Sequence, residues 1–227
     1  MSDHPSALSL RAPRRSLALT HLGETLIAEM FNASPAVRTA LGARVGRELG
    51  GFNAVAEAPL ASYGALGFDG ASRIDVALVD PAGSRCIACE AKLGLELMAK
   101  RSFEDRFLGA CSTSHKGTRV RGSMPAILER KLPASAARTP LKARIDGAPH
   151  VVEPAWILIV RRGVADGWVA RGRPALSRRC AVAVFEDLVT AYGGQAPFNE
   201  LVRGLLRFDY FAEWLAERPK NVVISRD

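Results

Sequence analysis

The chain has 227 residues, 48% of them hydrophobic, and 31 Lys and Arg against 23 Asp and Glu give it a formal charge of +8. This much apolar sequence supports one sizeable core and excludes an intrinsically disordered chain, while no window approaches the roughly 18 uninterrupted apolar residues that cross a bilayer and no apolar h-region follows the N-terminus. The expectation is a soluble, cytoplasmic protein with no membrane partner, with reduced thiols rather than a scaffold built on Cys86, Cys89, Cys111 and Cys180, and with a polyanion as the first partner to consider.

Residues 1–15 mix Ser, Pro and Arg without periodicity and read as a flexible basic arm, leaving 16–227 as a single domain. A first helix is expected from Thr20 as N-cap, with Leu19, Leu22, Leu26 and Met30 on one stripe, and Ser34-Pro35 breaks it. A second is expected over 36–49, stopped by Gly50-Gly51. FNAVAEAPL and SRIDVALVD then read as strands, and Asp80-Pro81-Ala82-Gly83-Ser84 as a turn leading into a third strand, RCIACEAKL. Residues 96–113 permit helix, and 111–150 reads as a basic, irregular insertion. Ala155–Val160 is apolar throughout, as a central strand covered on both faces would be. An Arg-rich link leads from it to a strand at Ala181–Phe185. A last helix is expected over Asn199–Glu217, with Leu201, Leu205, Phe208, Phe211 and Leu215 as its buried stripe. The sum is an α/β, mixed α+β, fold with a mixed sheet flanked by helices.

The chemistry concentrates at Arg73-Ile74-Asp75-Val76 and Cys89-Glu90-Ala91-Lys92. Residues two apart on a strand share a face, so Glu90 and Lys92 project together. Opposed residues of an antiparallel hairpin have numbers of constant sum. If Pro81–Ser84 forms the loop, Asp75 faces Glu90 with side chains about 5 Å apart at Cβ. Two carboxylates so close repel unless a cation lies between them. Mg²⁺, with Mn²⁺ expected to substitute, suits such a pair because it takes one or two carboxylates and fills its octahedron with water and phosphate oxygens. A lysine beside it positions or activates water and offsets charge on a pentacovalent phosphate, so metal-assisted phosphodiester hydrolysis fits the group best.

Asp75, Glu90-Ala91-Lys92 on the next strand, and Gly23-Glu24-Thr25-Leu26-Ile27-Ala28 on the preceding helix resemble the PD-(D/E)XK nuclease superfamily and the G-E-x-x-x-A helix of its resolvase-like members. The resemblance implies a restriction-endonuclease-like core. It also implies metal binding by Asp75, Glu90 and the Ala91 carbonyl, water activation by Lys92, and a contribution of Glu24 through water or a second ion. Glu24 is preferred to Glu29 for its match to that motif. Ile74 stands where the family name has proline, and no Q-x-x-x-Y helix follows Lys92, so the subfamily stays unassigned.

Other features have plainer readings. Cys86 and Cys89, three apart on a strand, point to opposite faces and are strand packing rather than a zinc or redox pair. His115 and His150 read as loop histidines, and Arg73 as flanking its strand rather than binding phosphate. Trp168 reads as covering the sheet edge. In 111–150 Lys116, Arg119, Arg121, Arg130, Lys131, Arg138, Lys142 and Arg144 oppose only Glu129 and Asp146, and they are the candidates for gripping a DNA backbone. The expected function is a Mg²⁺-dependent DNA endonuclease. A homodimer is consistent with it, since cutting both strands generally requires two sites. The alternatives are a non-catalytic nucleic-acid-binding protein or complex subunit on the same fold, and a module that docks an acidic protein.

Overall fold

The computed structural model describes residues 13–61, 72–94, 103–108, 112–113, 120–121, 123–129 and 138–208. Helix α1 spans Pro13–Ala33, so Thr20 is interior rather than a cap, and residues 13–15 are helical rather than part of an arm. Proline at the first helical position accounts for the earlier start, because its fixed φ is already helical and its missing N–H has no partner to lose. The remainder of the expected arm, 1–12, lies outside the described residues. Helix α2, Pro35–Val45, begins where the Ser34 hydroxyl accepts the Val37 N–H. It ends at Gly46, whose φ of +65° is the left-handed conformation glycine adopts freely, before Gly50-Gly51 is reached.

Three strands follow as an antiparallel meander: β1 (Asn53–Pro59), β2 (Arg73–Asp80) and β3 (Arg85–Lys92). β4 (Ser112–Thr113) and β5 (Val120–Arg121) form a separate two-stranded pair. β6 (Lys142–Ile145) turns antiparallel into the long β7 (Ala148–Val160), which lies parallel to β3, and β8 (Cys180–Val184) lies parallel to the last half of β7. The six-stranded mixed sheet runs β1-β2-β3-β7-β6, with β8 also on β7. Its edges curl toward each other, because Leu60 after β1 bridges Ala143 of β6. The β3–β7 register shifts between Cys86 and Ala88, where β7 carries Pro154, a residue that cannot donate to a ladder.

Both faces of the sheet are covered. On one, Cys86, Ala88, Trp156, Leu158 and Val160 pack against Phe103, Leu108, helix α3 (Met124–Leu128) and Val164 and Trp168 of helix α4 (Arg162–Arg171). On the other, Val76, Leu78, Ile87, Cys89, Ile157 and Ile159 meet α1, α2 and helix α5 (Phe185–Tyr192). Trp156 through Val160 are inaccessible to solvent, as the apolar run implied. The fold class is therefore the mixed α/β sheet with flanking helices expected from the sequence. Among the described residues no helix is long and apolar enough to cross a membrane.

Several elements differ from expectation. The stretch 111–150 is irregular only in part where it is described: α3 is wholly buried and 142–150 is a hairpin strand and turn, while 138–141 is turn and coil. Asp146 and Gly147 both have positive φ, +49° and +80°, as a two-residue hairpin turn requires, and Asp-Gly between alternating residues was the signal for it. The Arg-rich link contains α4, whose Val164 and Trp168 form a buried i, i+4 pair. Phe185 starts α5 rather than ending a strand; Phe185, Leu188, Val189 and Tyr192 are spaced as one helical stripe. The last helix, α6, is described over Gln195–Phe208, and Phe211 and Leu215 lie outside the described residues.

Glu129 ties α3 to the sheet. Its carboxylate accepts from the Trp156 indole N–H at 2.8 Å and from the Ser177 N–H and hydroxyl at 2.9 and 3.0 Å. Glu129→Ala leaves a fully buried indole donor without its acceptor, and the expected loss is about 2–3 kcal/mol of unfolding free energy, measured by urea denaturation followed through tryptophan emission.

Candidate functional site

The β2–β3 pairs run from Asp80↔Arg85 to Val76↔Cys89, closed by a turn over 81–84 in which Asp80 Oδ1 accepts the Ala82 N–H at 3.0 Å. One step further in this register places Asp75 beside Glu90, the pairing expected from the sequence. There the backbone ladder gives way to side chains. The Asp75 N–H donates to Glu90 Oε1 at 3.3 Å, and the Ala91 N–H donates to Asp75 Oδ2 at 2.8 Å. The strands thus part at their ends with the carboxylates bound between them.

On β3, Cys86 and Ala88 face one core and Ile87 and Cys89 the other, and Glu90 and Lys92 continue the first alternation. Glu90 is 1% exposed, because β7 runs alongside with Leu158 as its partner. Lys92 Nζ donates to Asp75 Oδ2 and Glu90 Oε2, each at 2.9 Å, and to the Ala91 carbonyl at 3.2 Å. It also lies 5.7 Å from the centre of the Phe107 ring, within cation–π range. Burial by itself would favour the neutral amine, but Glu90 and Asp75 outweigh it and hold the ammonium above its usual range. In this arrangement Lys92 is a cation that neutralises and positions, not a base. Glu90 is pushed up to about 8, chiefly by burial, with Lys92 opposing and Asp75 adding to the shift.

Glu24 approaches the same charges from α1. It is 7% exposed, whereas Glu29, the other glutamate weighed from the sequence, is exposed to solvent. Gly23 brings this turn of the helix against Leu93, just past β3: a Cβ there would stand 3.4 Å from the Leu93 Cδ1. Burial, then the Asp75 charge, raises Glu24 to about 7, while Lys92 and Arg73 pull it down.

Of the described basic residues of 111–150, Lys142 and Arg144 are placed by β6, which pairs with the start of β7 and is bridged through Ala143 to Leu60 after β1. Arg138, Lys142 and Arg144 are exposed, but the Asp146-Gly147 turn folds β6 back on the start of β7, with Lys142 across from Val151 and Arg144 across from Pro149. Glu90 and Lys92 instead pair with Leu158 and Val160 at the strand's end. Lys116, Arg119, Arg130 and Lys131 lie outside the described residues, as does His115, and Arg121 is placed in β5 by its backbone alone. Cys86 and Cys89 are buried on opposite faces, as expected. His150 Nδ1 lies 3.2 Å from the Ala148 carbonyl, and Trp168 is core, edge-on to Phe103. Sequence reasoning missed two neighbours. Phe107 carried no signal. Glu57 did, being the lone charge in its strand, and its Oε2 accepts from Arg73 Nη1 at 3.1 Å.

No family model matches the chain, and neither the curated proteins nor the solved structures include a significant match to it. Chemically, the site offers two carboxylates and a carbonyl converging on one positive charge. Among the described residues no three His, Cys, Asp or Glu side chains are gathered closely enough to hold a metal by themselves. Any ion here would rest on Asp75, Glu90 and the Ala91 carbonyl, with Glu24 farther out.

Glu24 and Glu90 hold protons more tightly in the folded chain, at about 7 and about 8, than at the ordinary value of 4.5. The stability they contribute is full below the ordinary value and is lost as pH rises through the folded ones. In EDTA, the wild-type melting temperature should fall between about pH 5 and about pH 8 more steeply than that of the Glu24→Gln/Glu90→Gln variant, whose amides do not titrate. Parallel curves would contradict the assignment.

Proposed function

We propose that the chain is a metal-dependent nuclease of the PD-(D/E)XK kind, on a restriction-endonuclease-like core, that hydrolyses phosphodiester bonds of DNA. The observation that carries this reading is the place of the Lys92 ammonium. It stands 2.9, 2.9 and 3.2 Å from Asp75 Oδ2, Glu90 Oε2 and the Ala91 carbonyl oxygen, the three groups that the resemblance assigns to a metal ion. These groups already converge on a cation, so the donor set suits a hard divalent ion, all oxygen and doubly anionic when both carboxyls are ionised. Mg²⁺ bound there would supply Lewis acidity toward a phosphate oxygen and lower the pKa of a water.

The chain's own residues have separate tasks. Asp75 and Glu90 would hold the ion, and the hydrogen bonds from the Ala91 and Asp75 N–H groups fix the rotamers in which they do so. Lys92, charged and tethered at the same point, would lie beside the attacking water and the phosphate oxygens, where an ammonium offsets developing negative charge. Glu24, with its pKa raised to about 7, is suited to taking or giving a proton near neutral pH. Burial of Glu90 keeps bulk water from one side of the site.

Incubation with supercoiled plasmid and Mg²⁺ or Mn²⁺ tests the proposal. Nicking is expected from the wild type, suppressed by EDTA. Glu90→Ala and Lys92→Ala should each lose at least about 100-fold in rate while still shifting DNA on a gel. Undiminished cleavage in both variants would refute the site assignment; a wild type that shifts plasmid but never cuts it would favour the non-catalytic DNA-binding reading. Binding of Mn²⁺ by calorimetry provides a second check. Asp75→Asn should weaken it at least about tenfold, since it removes one of two charged donors.

A further inference from the structure

Glu57, on the adjacent strand β1, and Arg73, on β2 with Asp75, stand beside the carboxylate group. Ala56 pairs with Val76 and Ala58 with Ile74, so Glu57 is the residue across from Asp75, and theirs is the position that the β1–β2 ladder skips. Glu57 has a φ of +55°, in the left-handed region that a non-glycine side chain occupies only when its surroundings impose it. Asp146, the other such residue among those described, belongs to a hairpin turn that calls for positive φ; Glu57 lies in the middle of a strand. What Glu57 holds there is the Arg73 guanidinium, by one bond from Nη1 at 3.1 Å.

As a source of stability this contact is unpromising, because the Arg73 side chain is 59% exposed and such surface pairs add little. Its position is more informative. Arg73 is next but one to Asp75 on β2, with Pro59 as its partner on β1, and its charge reaches the buried Glu24. A guanidinium carries five N–H donors in a planar fork that matches two oxygens of a phosphate, and the bond to Glu57 engages one of them.

We propose that Arg73, positioned by Glu57, binds a backbone phosphate next to the one that is cut, so that the grip on nucleic acid begins at the rim of the carboxylate site. The proposal deepens the nuclease reading and rests on it. Glu57 is a positioning residue in this scheme: its carboxylate fixes where the fork lies, and the strain in its backbone sets the carboxylate in place.

The test uses a fluorescently labelled DNA duplex with the full-length protein. Affinity is measured in EDTA over a series of salt concentrations, and steady-state cleavage of the same duplex is measured with Mg²⁺. Arg73→Gln should weaken binding several-fold, reduce the slope of log affinity against log salt by about one, and lower kcat/KM mainly through KM. Glu57→Gly accepts the positive φ but removes the carboxylate, so it should lose affinity without losing melting temperature, while Glu57→Gln, which keeps an acceptor, should bind nearly as the wild type does. Wild-type affinity and slope in Arg73→Gln, or a defect confined to kcat, would overturn the proposal alone if the wild type cuts. A wild type that neither binds nor cuts the duplex would overturn the nuclease reading with it.

Discussion

Two carboxylates cannot lie together as anions at the parted ends of β2 and β3 unless a positive charge stands between them, and Lys92 supplies that charge. Each of the four residues is held by another. Asp75 takes the Ala91 N–H, Glu90 takes the Asp75 N–H, and the ammonium binds both carboxylates and the Ala91 carbonyl. A buried ion pair of this kind is a poor source of stability, because desolvation takes back much of the Coulomb attraction. Apolar residues of similar shape would serve the fold as well or better. The proposed nuclease reading gives two carboxylates, a carbonyl and an ammonium a use, the handling of a divalent ion and a phosphodiester.

The sheet is built to deliver this group. β7 covers one side of β3 and buries Glu90, while the short turn over 81–84 locks the register that brings Asp75 to it. Helices on both faces make the sheet rigid up to the point where the ladder stops, so the charged residues sit at the boundary between a dry core and the surface. Helix α1 adds Glu24, whose charge interacts with Asp75 and Lys92. The resulting protonation states are set mainly by burial: Glu24 and Glu90 are both raised, and Lys92 stays charged because it faces two carboxylates.

The parts of this arrangement legible in the sequence were those fixed by local rules. A constant-sum register follows from one turn, and Asp80-Pro81-Ala82-Gly83-Ser84 identifies that turn, so Asp75 opposite Glu90 could be derived without a structure. Alternation separated Cys86 from Cys89, and an unbroken apolar run marked the end of β7 as central. What could not be read depended on contacts distant in sequence. Asp146-Gly147 signals that the strand of Lys142 and Arg144 folds back on the first half of β7, but no local rule shows that Ala143 then bridges Leu60, far earlier in the chain. The high charge of 161–179 obscured α4, where two buried residues, Val164 and Trp168, were enough to define a helix face. Arg73 looked like strand flank because the carboxylate it pairs with, Glu57, is on another strand.

The central claim is that the Lys92 ammonium marks the place of a divalent cation. Crystals grown with Mn²⁺ and measured for anomalous scattering test it most directly. The expected result is one strong peak bound by Asp75, Glu90 and the Ala91 carbonyl, with Lys92 Nζ moved off at least one of its carboxylate partners. An ammonium still bonded to both carboxylates, with no peak between them at saturating Mn²⁺, would contradict the account.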